Sequence, residues 1–130
     1  LHLLSRRQRQ MCIRDSLKEA FPEAAILLVS VGDREFKDDR RNGELRTMPG
    51  VKNLIRYQQS IAADSRIAFW NMYEAMGGEG SILDMIDRKM ANLDYTHINF
   101  KGGKHLSGIL FEMLMYGKEQ YEKRKAYEAE

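Results

Sequence analysis

The run AAILLVSV, from Ala24 to Val31, decides the fold class. It is apolar almost throughout, of strand length and rich in branched side chains, the signature of a strand in a parallel sheet covered on both faces. Gly32 and Asp33 end it. Upstream, SLKEAFPEA predicts a short helical piece closed by Pro22, because the residue before a proline is driven out of the helical region.

Downstream, Arg34 to Thr47 is polar, mixes acids with bases and carries an Asn42-Gly43 turn signal, so it reads as a long surface loop at the strand's carboxyl end. Pro49 suits the first position of a helix, and Val51, Leu54, Ile55, Ile61 and Ala62 then share one face that fades near Asp64. Ile67 to Met72, IAFWNM, predicts a second short strand. Ser81 with Asp84 suggests a capping-box start for a helix that buries Ile82, Met85 and Ile86 and ends near Met90. Asn99 is placed to cap a last helix, in which Leu106, Ile109, Leu110, Met113 and Leu114 recur at helical spacing. Strand, helix, strand, helix, loop and helix make part of an α/β domain with a parallel sheet. A strand as apolar as Ala24 to Val31 ordinarily lies between neighbours, so the pattern predicts further strands N-terminal to the visible ones.

With 130 residues, 43% hydrophobic and 31% charged, the chain has the size and balance of one soluble globular domain. Its longest apolar run, Ala24 to Val29, is well short of the roughly 20 residues that cross a bilayer, so no membrane span is expected. Residues 1–16 hold four Arg and one Asp, leaving 17 basic against 18 acidic residues in the remainder. That near-neutral balance argues against a nucleic-acid partner. The single cysteine, Cys12, excludes an intrachain disulfide and a cysteine-based metal site. The opening LHLLSRRQRQMCIRDS keeps no period for long and makes a poor signal peptide, since its charges follow its few apolar residues. Its run RRQRQMCIRDS resembles translated sequencing-adapter read-through, which makes 1–16 a non-native or disordered leader; the alternative is a basic arm that meets an acidic partner. Residues 17–117 are expected to form the domain and 118–130 a charged helical tail.

Asp94 and His97, in LDYTHINFKGG, are the most informative polar pair. An aspartate that accepts from Nδ1–H orients an imidazole and stabilises the imidazolium formed when Nε2 takes a nucleophile's proton. Taken alone, such a pair is more often a helix-entry aspartate beside a surface histidine. Asp33 and Arg34 directly follow the apolar strand, where ligands meet α/β sheets, and are candidates to line a substrate cleft; turn chemistry explains them equally well. Gly77, Gly78 and Gly80 lack the G-x-G-x-x-G spacing, and Gly102-Gly103-Lys104 lacks a Walker A context, so a tight loop is expected rather than a phosphate cradle. His105 beside His97 has no H-E-x-x-H or carboxylate cluster to make a metal site, and neither metal nor organic cofactor is expected. Phe69, Trp70 and Tyr73 suit a sugar-stacking platform or, by their alternation, core packing.

The segment DYTHINFKGGKHLSGILFEML resembles the last block of the SGNH/GDSL esterase superfamily, where Asp-x-x-His, then Asn, then Gly opens the final helix. TMPGVKNLIRYQQSIA and IAFWNMYEAMGGEGSI are similar to its carbohydrate or peptidoglycan O-acetylesterase-like branch. The resemblance covers about residues 24–116 and implies the C-terminal part of a three-layer α/β/α flavodoxin-like sandwich. It also implies a Ser-His-Asp triad, with His97 and Asp94 as two of its members and an acetylated carbohydrate or other small ester as substrate. That branch is largely exported, which is the one pointer to a compartment; no signal peptide is visible. The family's nucleophilic serine lies on a GDS-type block, and neither that nor a G-x-S-x-G motif occurs here. Ser30, Ser65, Ser81 and Ser107 read as ordinary strand, turn, cap and helix serines, so the chain by itself is expected to be inactive. The rival readings are a non-catalytic α/β interaction module completed by a partner chain and, with less support, a nucleotide-binding flavodoxin-like domain. Oligomeric state is not legible.

Overall fold

The computed structural model describes residues 12–128. In chain order the elements are α1 (12–20), β1 (Leu27–Val29), β2 (Glu35–Asp38), β3 (Glu44–Thr47), α2 (Gly50–Ser65), β4 (Ala68–Trp70), α3 (Met72–Met76), α4 (Ser81–Asp87) and α5 (Phe100–Tyr127). They fall into two compact units, one formed by the described residues up to Gly32 with Pro49–Tyr73, the other by Asp33–Met48 with the described residues from Glu74 onward.

In the first unit, β1 and β4 pair in parallel, Leu27 opposite Ala68 and Val29 opposite Trp70. The helix α2 lies between them in sequence, as a parallel connection requires, and turns Val51, Ile55, Gln58, Ile61 and Ala62 inward. Gln58 belongs to this apolar stripe for a reason: its Oε1 accepts the Val31 N–H at 3.1 Å, just beyond the end of the β1 ladder. At the far end Arg66 takes a left-handed φ of 52°, and the N–H groups of Arg66 and Ile67 return to the carbonyls of Ala63 and Ala62. That pairing satisfies the last free carbonyls of the helix. Trp70 and Tyr73 are buried and Phe69 is half-buried, so these aromatics serve the core.

Two expectations for this unit change. The apolar run yields a strand of only three residues, and Leu27 and Val29 are 37% and 38% exposed rather than covered. Residues 12–16, expected as leader, continue into the helix that ends ahead of Phe21-Pro22; residues 1–11 lie outside the described residues.

In the second unit, the segment read as a surface loop is an antiparallel hairpin. Glu35 pairs with Thr47 and Asp38 with Glu44. Its tip is a 3-10 turn over Asp39–Arg41, capped by the Asp38 carboxylate on the Arg40 N–H, with Asn42 and Gly43 both at positive φ. The strands are not legible in the sequence because the buried residues at the open end, Glu35 and Thr47, are polar, and a hydrophobic alternation never forms.

The helix α4 buries Ile82 and Met85 almost completely, and α5 adds Gly102 and Leu106 to the same core. The stripe expected on α5 is buried only at its start. Ile109 and Leu110 are half-buried, and Met113 and Leu114 are exposed along with the charged extension that runs to Tyr127. Asn99 caps α5 as expected, its Oδ1 accepting the Gly102 N–H at 3.1 Å.

Gly102 is required by close approach. A Cβ there would collide with the backbone carbonyl of Met90 and press the Met85 methyl at 3.0 Å, whereas a Cβ on Gly103 meets nothing within 4 Å. Gly102→Ala is therefore expected to destabilise the chain by about 1–3 kcal/mol through overpacking. Gly103→Ala should stabilise it by about 0.4–1 kcal/mol through reduced unfolded-state entropy. Urea denaturation of the two variants side by side checks both signs.

Candidate active site

The segment from Ala91 to Asn99 folds back on itself. An isolated bridge joins Ala91 to Ile98, and the Asn92 N–H reaches the His97 carbonyl at 2.8 Å. Between these ties Asp94 organises the turn: its Oδ1 accepts the backbone N–H groups of Thr96 and His97, both at 3.0 Å. This is the habit of a short acidic side chain that bonds the backbone two and three residues on. Tyr95 occupies a left-handed φ of 58°, a conformation costing an aromatic residue roughly 1–2 kcal/mol, which the surrounding bonds offset.

The other carboxylate oxygen of Asp94 lies 2.8 Å from Nδ1 of His97. The three bonds, those from the His97 N–H first, then its ring and then the Thr96 N–H, lower the Asp94 pKa to about 2. At neutral pH the carboxylate is ionised and can only accept, so Nδ1 carries the hydrogen. In a neutral imidazole that leaves Nε2 as the free lone pair, the nitrogen that a general base uses. The side chains of His97 and Asp94 are 72% and 48% exposed, so the pair is open to whatever approaches it. The structure thus brings Asp94 and His97 together, Oδ2 against Nδ1. His105 stands apart on α5, near Lys101 and Lys104.

The other two candidates are divided. Arg34 is exposed. Asp33 is 1% exposed, and both its oxygens are engaged within the protein, Oδ1 by the Thr47 hydroxyl at 2.8 Å and Oδ2 by the Ile82 N–H at 3.1 Å. Asp33 therefore caps α4 from 49 residues away. The capping-box assignment is corrected accordingly: the residue before α4 is Gly80 at φ 77°, and Ser81 sits inside the first turn with its hydroxyl buried and unpartnered. Thr47 also accepts the Gly80 N–H at 3.1 Å, which ties the glycine loop to the hairpin.

Sequence reading missed Glu35, Thr47 and Tyr95. Glu35 is 6% exposed, with its Oε1 at 3.4 Å from the Thr47 hydroxyl and its Oε2 buried without a partner. Burial raises its pKa above 4.5, nearby Asp33 and Glu79 push the same way, and the Thr47 bond opposes them. Its backbone N–H donates to the Tyr95 carbonyl at 2.9 Å, at the centre of the Asp94–His97 turn. The Asp33-x-Glu35 spacing, two acids at the entry to β2, was the available signal.

Of the serines, the Ser30 hydroxyl is held by the Val31 carbonyl, Asn71 and the Tyr73 N–H, and that of Ser107 by the Lys104 carbonyl. The bonds of His97 are with Asp94 and, through its carbonyl, with Asn92.

No protein-family model matches the chain, and no curated protein matches it. Among solved structures it is similar to one described as "Peptidoglycan O-acetylesterase in action, 5 min", with a TM-score of 0.76 at 20% sequence identity over 89% of this chain. The chain spans 33% of the length of that protein. This likeness bears out the fold class: α/β with a parallel sheet, matching part of that larger structure. No described helix is long and apolar enough to cross a membrane.

The two perturbed acids give opposite pH signatures. Asp94 binds its proton less tightly folded than unfolded, so it contributes stability above pH 3.8 that is lost as pH falls toward 2. Glu35 binds its proton more tightly when folded, so its contribution is present below pH 4.5 and is lost as pH rises through its folded pKa. Urea midpoints measured against pH should fall less steeply in acid for Asp94→Asn than for the parent chain. For Glu35→Gln they should decline less as pH is raised from 4.5.

Proposed function

We propose that the chain is the C-terminal part of a serine ester hydrolase that removes acetyl groups from carbohydrate or peptidoglycan, with His97 as general base and Asp94 as its orienting acid. The reading rests on the Asp94–His97 pair, 2.8 Å apart on the turn that opens α5. The fold shared with an O-acetylesterase structure supports it.

In the proposed reaction Nε2 of His97 takes the proton of a serine hydroxyl supplied by sequence N-terminal to this chain as the oxygen attacks the ester carbonyl. Asp94 stabilises the imidazolium through Nδ1–H. Collapse of the tetrahedral intermediate breaks the carbon–oxygen bond to the sugar, and His97 returns its proton to that leaving oxygen. Water, deprotonated in turn by His97, then cleaves the acyl-serine to acetate and free serine. Backbone donors for the oxyanion would come from the same preceding segment. Arg34, exposed just before the hairpin, is the positively charged side chain we assign to the substrate cleft. Asp33 supports that wall from inside.

The test is a chain extended through its upstream coding sequence and assayed on an acetyl ester. His97→Ala should lower kcat by about 10³–10⁶-fold with the circular dichroism spectrum unchanged. Near-normal turnover in that variant would overturn the role given to His97, and an upstream sequence that carries no serine block would instead favour an α/β interaction module completed by another chain.

A further inference from the structure

The turn that carries Asp94 and His97 is strained at Tyr95 and exposed at both functional side chains, yet it is held to one geometry. Its own bonds close the turn but do not anchor it. The anchor comes from the hairpin: the Glu35 N–H meets the Tyr95 carbonyl at 2.9 Å. Glu35 is the first residue of β2, an end position that frays unless something fixes it. What fixes it is unusual for a surface hairpin, because its carboxyl is buried beside Asp33 and within 3.4 Å of the Thr47 hydroxyl, directly across the ladder. The Met48 N–H adds a bond to the Arg34 carbonyl on the same side.

We infer that Glu35 is a positioning residue for the Asp94–His97 pair: its buried side chain, seated against Thr47 and Asp33, locks the start of β2 so that its backbone N–H pins the Tyr95 carbonyl and fixes the turn. Glu35 touches neither His97 nor a reacting atom; it acts through Tyr95. A merely structural role would lower stability and leave Asp94 alone. A positioning role changes how well the Asp94 carboxylate collects its three bonds, and hence where it titrates. The inference deepens the esterase reading, but its readout needs no activity, so the two can fail separately.

The experiment is carboxyl-detected NMR titration of Asp94 in the present chain, with hydrogen exchange of the Glu35 and His97 amides in the same samples. In the parent, Asp94 is expected to titrate at about 2. In Glu35→Ala it is expected to move toward the ordinary 3.8, with faster exchange at both amides, while the near-isosteric Glu35→Gln restores both. Glu35→Asp, which draws the carboxyl back from Thr47 and leaves the bonds of Thr47 to Asp33 and Gly80 in place, serves as the second variant should Glu35→Ala not fold, and is expected to shift Asp94 in the same direction. An Asp94 unmoved at about 2 in a folded Glu35→Ala or Glu35→Asp chain would overturn the inference. So would a Glu35→Gln titration displaced as far as that of Glu35→Ala. If the titration behaves as expected while His97→Ala leaves ester hydrolysis intact, the positioning holds and the proposed role of His97 as general base falls.

Discussion

A buried carboxylate, that of Asp33, ties together three segments distant in sequence. One oxygen holds the hydroxyl of Thr47 at the end of the hairpin and the other holds the Ile82 N–H in the first turn of α4. Burying a carboxylate without partners costs several kcal/mol, so the site is stable only with both bonds made. The partial positive charge at the start of α4 adds to their attraction. Because Thr47 also takes the Gly80 N–H, one hydroxyl and one carboxylate set the path of the glycine loop, the register of the hairpin and the start of the helix. The neighbouring apolar contacts of Ile82 and Met85, both almost fully buried, supply the area but no register, since the hydrophobic effect has no direction.

This division explains what could be read from the sequence. The helix α2 and the opening of α5 were legible because apolar periodicity reports burial, the parallel strands because branched and aromatic runs favour strands even where Leu27 and Val29 stay exposed, and Asn99 because capping is local. The hairpin was not. Its buried end is built from Glu35 and Thr47, residues that a hydrophobic pattern counts as surface. The start of α4 was misread for the same reason: Ser81 offers a local cap, but the group that does the capping lies 49 residues earlier. The length of α5 misled in the other direction, since the apolar spacing continues through Met113 and Leu114 although both are exposed.

The Asp94–His97 pair was visible in the sequence because its geometry is nearly self-contained. An aspartate bonding the N–H groups two and three residues on brings the side chain of the third residue within reach of the remaining oxygen. What the local pattern does not encode is the anchor. The Glu35–Tyr95 bond joins two backbones 60 residues apart, and no side-chain signature marks a backbone donor.

The exposure of the pair bears on how the proposed chemistry would be tuned. In water-like surroundings two charges at hydrogen-bond distance attract only weakly, and a lower effective dielectric multiplies that attraction several-fold. Covering the turn with a substrate or a further segment of protein would therefore strengthen the hold of Asp94 on a protonated His97, which is the state a general base passes through. The same cover would remove water from Asp94 and raise the cost of its charge. Three hydrogen bonds to that carboxylate, two of them from backbone N–H groups that do not depend on solvent, offset this cost. An acid already held near pKa 2 in the open site can lose solvation and remain ionised at neutral pH, so covering the turn would leave the proposed orienting role of Asp94 intact.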